Sequence, residues 1–212
     1  MAKPTADLRE ALLLRLAPGQ GRRDTAPDIE VGQDIAKRKD AASVEALVGL
    51  LTDRRAGSSA LKALYECGYL APELLAPHAE TFLALLDHKN NRFVWGGAIA
   101  LSCIAKVAPG AVWAGREKLQ KLFPGGSVIT RDAVVRALSL VAASTAARER
   151  ALAPWLLQAL VDVRPVNLPR WAEDILPTLS GTYRLQARAT VEDRLGDLSA
   201  SAQQRVKRLL RS

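Results

Sequence analysis

Two histidines, two cysteines, four tryptophans and 30 lysines and arginines are the side chains from which this 212-residue chain could build chemistry. His78 and His88 stand ten residues apart and Cys67 and Cys103 stand 36 apart, so no short-spaced pair offers convergent metal ligands. His78 follows Pro77 near a helix start and His88 falls in a turn; both positions predict solvent-facing or capping roles. Neither histidine accompanies a nucleophile-elbow glycine pattern. Gly19, Gly21 and Gly32 follow no strand and precede no Gly-Lys-Ser or Gly-Lys-Thr, so no phosphate loop is formed. The chain thus shows no metal site, no cofactor site and no assembled catalytic set.

Charge is the more informative material. Of the formal net charge of +8, residues up to Lys106 contribute 14 basic against 13 acidic side chains, and the remainder contributes 16 against 9. An electrostatic partner is therefore expected to prefer the second half. The candidate anion- or nucleic-acid-binding residues there are Arg116, Lys118, Lys121, Arg131, Arg136, Arg184, Arg188, Arg205, Lys207 and Arg208. On one concave face they would make a track that neutralises phosphates, with affinity falling steeply as salt rises. Only Tyr183 accompanies the C-terminal cluster, so base stacking has little support. The double arginines at 22–23 and 54–55 read as balanced by Asp24 and Asp53.

The elements that must carry these residues are helices. Apolar residues make up 49% of the chain but aromatic ones only 5%, so a core of Leu, Ala and Val is expected, which favours helices over strands. Cys67 and Cys103 fall within apolar helical patterns, where a free cysteine acts as a small hydrophobe, and a reducing cytoplasm is the expected compartment. The first 16 residues are too short and too interrupted for a secretory signal, and no stretch reaches 18 uncharged apolar residues, so no membrane span is expected.

Asp7 to Leu16 predicts a short helix ending at Pro18-Gly19, and residues 19–28 predict a loop or mobile connector before a short helix from Asp28 to Lys39. The expected division is an N-terminal helix and flexible connector over 1–40 and a compact repeat domain over 41–212, closed by polar C-terminal capping helices. VEALVGLL at 44–51 matches AETFLALL at 79–86, and SALKALYECG at 59–68 matches VWGGAIALSC at 94–103, both at an offset of 35 residues. Two helices repeating at one offset predict stacked helical hairpins. Later second helices, centred on Ala98, Ala137 and Ile175, follow at 39 and 38 residues. Asn90 or Asn91 can cap the helix holding Trp95, and Ser127 or Thr130 the one after Pro124-Gly125-Gly126. Gly68 is expected to close its helix, and Pro154 to kink or divide the helix over 147–161. Gly96 and Gly97 each cost about 1 kcal/mol of helix propensity, which predicts either a closely approaching neighbour helix or space for the Trp95 indole.

The second-helix pattern resembles that of the HEAT-like repeat family: an acidic or amide residue in the turn, then a valine, an arginine and a spaced Ala-x-x-Ala-Leu. Asp87, Asn91, Arg92, Val94, Ala98, Ala100 and Leu101 match it well; Arg131, Val134, Val135, Arg136, Ala137 and Leu138 match fairly. The run 59–64 is partial, and the run 171–176 lacks the small-residue pair. The resemblance covers about residues 41–180 and extends to small bacterial HEAT-like proteins. It implies an all-α, right-handed α-α superhelix, a HEAT-like solenoid of helical hairpins of the armadillo type. Family members mostly bind proteins and a subset binds nucleic acid, so the implied function is a non-enzymatic protein-protein interaction scaffold. The alternative is a non-catalytic DNA- or RNA-binding protein using the basic C-terminal half. HEAT-like glycosylases for alkylated purines pair groove tryptophans with an aspartate one helical turn away. Here Trp95 has no such carboxylate, Trp113 and Trp155 offer no complete pattern, and only Asp174, three residues after Trp171, approaches the same face.

Overall fold

The computed structural model describes residues 6–211, so the outermost ends of the two expected segments, 1–5 and 212, lie outside the described residues. Fourteen α-helices and no strand occur among them. They are α1 (Ala6–Arg15), α2 (Ala26–Arg38), α3 (Ala41–Gly49), α4 (Gly57–Leu70), α5 (Pro72–Leu75), α6 (Ala79–Leu85) and α7 (Asn91–Ile104). The chain continues with α8 (Pro109–Ala114), α9 (Arg116–Leu122), α10 (Val128–Ala142), α11 (Ala146–Asp162), α12 (Leu168–Ile175), α13 (Gly181–Asp193) and α14 (Ala200–Arg211).

These helices form two rows. In the first, α2, α4, α7, α10, α12 and α14 each pack against the next. The second row backs it, with α3 on α4, α6 on α7, α8, α9 and α11 on α10, and α13 on α12. The architecture is an all-α solenoid. The 35-residue match falls on two successive hairpins, α3 with α4 and α6 with α7.

Residues of α1 and α2 belong to the same packing as the rest. Leu12, Leu16, Val31 and Ile35 are buried in one apolar cluster that runs on to Val206 and Leu210, so the core starts at Leu12 rather than at residue 41. A Cβ on Gly32 would lie 2.4 Å from the Ala63 carbonyl oxygen, which shows how closely α2 approaches α4. Residues 16–25 connect α1 to α2 and are pinned where the Ala17 amide donates to the buried Asp28 carboxylate at 2.9 Å.

The two glycines of α7 make room for helices on two sides. A Cβ on Gly96 would sit 2.5 Å from Leu61 Cδ2 of α4, and one on Gly97 would sit 2.9 Å from the Phe82 carbonyl oxygen and Leu85 Cβ of α6. Close packing of α4 and α6 on α7 fills the space. Asn90 is the cap of α7, its Oδ1 accepting from the Arg92 amide at 3.0 Å, and Ser127 caps α10 by accepting from the Thr130 amide at 3.2 Å.

Two local expectations change. α4 runs through Gly68 to Leu70, because Gly68 is needed for contact rather than for termination: its Cβ would meet Leu75 Cδ2 at 2.7 Å and Cys103 Cβ at 3.0 Å. α11 runs without interruption through Pro154, which faces solvent, so the freed carbonyl of the exposed Arg150 can be hydrated. The helical stretch that starts at Pro109 breaks at Gly115, where a Cβ would lie 2.1 Å from Leu83 Cδ2.

Candidate partner-binding site

Cys67 and Cys103 are free thiols; burial pushes both up to about 12, which leaves them protonated and inert. His78 is not solvent-facing: its side chain keeps 11% exposure and its Nε2 lies 3.5 Å from Glu45 of α3. His88 organises the turn before α7, with Nδ1 accepting from the Asn90 amide at 2.9 Å and its ring 4.5 Å from that of Phe93.

An opening with aromatic walls lies where the end of α9, the start of α10, the end of α11 and the start of α12 meet. Its cavity of about 320 Å³ is walled by Phe123, Trp155 and Trp171. The Phe123 ring meets Trp155 edge-on with centroids 4.9 Å apart, and lies 5.5 Å from Trp171 at a tilt. Val128 and Val163 extend the apolar wall, and Arg131, Asp162 and Arg164 give the rim its polar groups. Val128, Ile129, Val161 and Val166, in the segments that frame the opening, leave between 43% and 78% of their surface in solvent.

Each wall is fixed from behind. The Trp171 indole N–H donates to Asp132 Oδ1 of α10 at 2.7 Å, which joins α12 to α10 and sets the ring plane. Arg131 donates from Nε to the Phe123 carbonyl at 3.1 Å and from Nη2 to the Pro124 carbonyl at 2.7 Å, holding the segment that carries Phe123. Arg194, at the end of α13, donates to the carbonyls of Leu160 (2.7 Å), Val161 (3.0 Å) and Val163 (2.7 Å). A cation at that helix end is favourable, and here it satisfies orphan acceptors of α11 just where the pocket wall begins. Gln158 donates to Asp162 Oδ1 at 2.9 Å.

Trp171 lines this cavity but Asp174 does not. Burial pushes the Asp174 carboxyl up from the ordinary aspartate range, partly opposed by the nearby charges of Arg136 and Arg170. Its Oδ2 is buried without a hydrogen-bond partner among the described residues. The tryptophan-aspartate pair expected from the glycosylase comparison is therefore not assembled in one cavity.

The ten basic residues singled out in the sequence fall on four helices in both rows: α9 and α13 in the backing row, α10 and α14 in the first. Five of them are engaged by the protein itself. Arg116 pairs with Glu117 at 2.9 Å and its guanidinium carbon lies 4.3 Å from the Trp113 ring centroid. Lys118 pairs with Asp87 at 2.7 Å, Arg131 holds carbonyls, Arg188 donates to the Leu210 carbonyl, and Arg205 donates to Glu173 at 2.6 Å. Lys121, Arg136, Arg184, Lys207 and Arg208 have no ion pair among the described residues; of these, Lys207 and Arg208 line one shallow depression with Gln204 and Arg211. Phe123 and Asp132 were not expected at a site, and Arg194 was expected only as part of the C-terminal basic cluster. Phe123 precedes a Pro-Gly-Gly turn and Arg194 ends a helix, and neither position carries a periodic signal that names its partner across the fold.

No sequence-family model matches the chain, and no curated protein matches it significantly. Solved structures do. An engineered protein from the Northeast Structural Genomics Consortium superimposes with a TM-score of 0.67 at 21% identity, covering 98% of this chain and 96% of its own. A designed armadillo repeat protein gives 0.65 at 17% identity, with 99% of each chain covered. A second engineered protein of the same consortium gives 0.60 at 21% identity over 96% of this chain and 58% of its own. These likenesses define the fold class, a helical-repeat solenoid of the armadillo type, in agreement with the HEAT-like resemblance of the sequence. No helix among the described residues is long and apolar enough to cross a membrane.

Proposed function

We propose that this protein is a non-enzymatic protein-protein interaction scaffold that holds a segment of a partner protein by seating an apolar side chain in the Phe123-Trp155-Trp171 pocket. The observation that carries the reading is the pocket itself. A preformed cavity with aromatic walls, a few polar groups at its edge and exposed valines in the framing segments has the make-up of a binding hot spot. Repeat solenoids supply the extended surface on which the rest of a partner segment can lie. Many activities share this fold, so the pocket rather than the architecture carries the reading.

A protein partner is favoured over nucleic acid because five of the ten candidate cations are spent on carboxylates and carbonyls of the chain, and the ten are spread over both helix rows. The two free thiols suit a reducing compartment such as the cytoplasm. Selection of a random peptide display library on the purified protein tests the proposal. Enriched peptides should share an aromatic or branched apolar anchor and should bind the Trp155→Ala variant at least about tenfold more weakly, as expected for a lost hot spot. Peptides that bind wild type and Trp155→Ala equally would rule the pocket out.

A further inference from the structure

A second cavity, of about 350 Å³, lies at the opposite, N-terminal end of the solenoid, where the starts of α2, α4 and α7 come together. It is lined by five cationic side chains, Arg22, Arg23, Arg55, Lys62 and Arg92, against two carboxylates, Asp24 and Asp28. Both carboxylates are already occupied. Arg22 grips Asp24 through Nε and Nη2, each at 2.9 Å. Asp28 is buried and turned to the Ala17 amide. Lys62 is held by Glu66 at 2.6 Å, with its ammonium 4.8 Å from the Tyr65 ring centroid. Three guanidinium groups are left over. Those of Arg23, Arg55 and Arg92 make no hydrogen bond or ion pair to any described residue, and all three residues are exposed. Asp53, the sequence neighbour of the 54–55 pair, spends its Oδ1 on the amides of Arg55 and Ala56, each at 2.8 Å.

From these groups we propose that the cavity binds a phosphate monoester. Three unengaged guanidinium groups around one concavity match the charge and forked geometry of a phosphate dianion better than those of a single carboxylate. Thr25 at the start of α2 and Ser58 and Ser59 in the first turn of α4 also line the cavity; the N-cap residues Thr25 and Ala56 make no side-chain cap bond, while Asp24 accepts from the Ala26 amide and Asp53 from that of Ala56. The cavity also has room for what the phosphate is attached to. Trp95 is partly exposed on its wall, with its ring 6.0 Å from that of the buried Tyr65, and forms a face for the body of the ligand. The proposal is independent of the partner-segment reading, which concerns a different cavity and a different chemistry.

The phosphate could come from a nucleotide or from a phosphorylated side chain, and the test separates the two. The four indole N–H signals of the 15N-labelled protein are followed on titration with O-phospho-L-serine and with adenosine 5′-monophosphate, at a constant ionic strength of about 0.15 M. Saturable movement of the Trp95 signal, with Trp113, Trp155 and Trp171 still, is the expected result. Binding should weaken about tenfold or more in Arg55→Gln and in Arg92→Gln, each of which removes a charge-assisted contact. It should be unchanged in the Lys207→Gln/Arg208→Gln double variant. Tighter binding of the nucleotide assigns its base to Trp95; equal binding assigns recognition to the phosphate alone. A Trp95 signal that does not move with either probe overturns the proposal, as does equal weakening in the C-terminal double variant. Unchanged thermal midpoints for the arginine variants, whose side chains are exposed, show that any loss is one of binding.

Discussion

Residues up to Lys106 are nearly neutral, with 14 basic and 13 acidic side chains, yet their cavity is the one in which three arginines meet unengaged. The remaining residues carry 16 basic and 9 acidic side chains, yet their cavity is walled by Phe123, Trp155 and Trp171. The contrast shows that the net charge of a segment does not locate an electrostatic site. What counts is which cations the fold leaves without a partner. In the second half, Arg131, Arg188 and Arg194 are consumed by backbone carbonyls, and Arg116, Lys118 and Arg205 by carboxylates. In the first half, Arg22 and the start of α2 take up Asp24, and the start of α4 takes up Asp53, which leaves Arg23 and Arg55 without a carboxylate.

The largest effect should come from the aromatic wall. Trp171 is buried and joined to Asp132, so Trp171→Ala is expected to cost about 3–5 kcal/mol of stability by urea unfolding, as other buried tryptophan deletions do. Trp95→Ala in the other cavity removes a partly exposed ring and should cost less than half as much. Equal losses would mean that the two cavities are supported alike, contrary to the packing seen.

Next comes the arginine that holds the end of α11. Arg194→Met strips three carbonyls of a charged donor and should destabilise by about 1–3 kcal/mol. Arg205→Met breaks only an exposed pair and should cost under about 1 kcal/mol. Reversal of that order in urea unfolding would show that the cations of the second half are not sorted as described.

Asp174 should give the smallest effect, with a definite sign in pH. Burial raises its folded-state pKa, so protonation favours the folded state. No penalty exists below the ordinary aspartate range, and one develops as pH rises through that range toward the raised folded value. Asp174→Asn is therefore expected to be more stable than wild type at pH 7, by under about 1 kcal/mol given its partial exposure, and by less near pH 3. Unfolding curves at the two pH values check this; a variant less stable than wild type at pH 7 would show that attraction to Arg136 and Arg170 outweighs burial.

Much of the architecture is legible in the sequence, because two apolar stripes that recur at one 35-residue offset can only be neighbouring hairpins in register. Asn90 and Ser127 are legible for the same local reason: a cap bonds to amides two or three residues away. What lies across the fold is not. Val31 and Ile35 give α2 a short stripe, but the Gly32 approach to Ala63 depends on a helix some thirty residues on. Asp24 does balance Arg22, as the sequence suggests, but nothing in the 54–55 pair reveals that Asp53 Oδ1 is claimed by the amides of Arg55 and Ala56. Trp155 and Trp171 are visible as indoles, but their convergence on Phe123 depends on how the end of α11, held by Arg194, leads into α12.

The central claim, that a partner segment anchors in the aromatic cavity of the second half, is tested most directly by the four indole N–H signals on titration with a display-selected peptide. Trp155 and Trp171 should move and saturate together while Trp95 and Trp113 stay in place. Movement of Trp95 or Trp113 with Trp155 and Trp171 unmoved would contradict it.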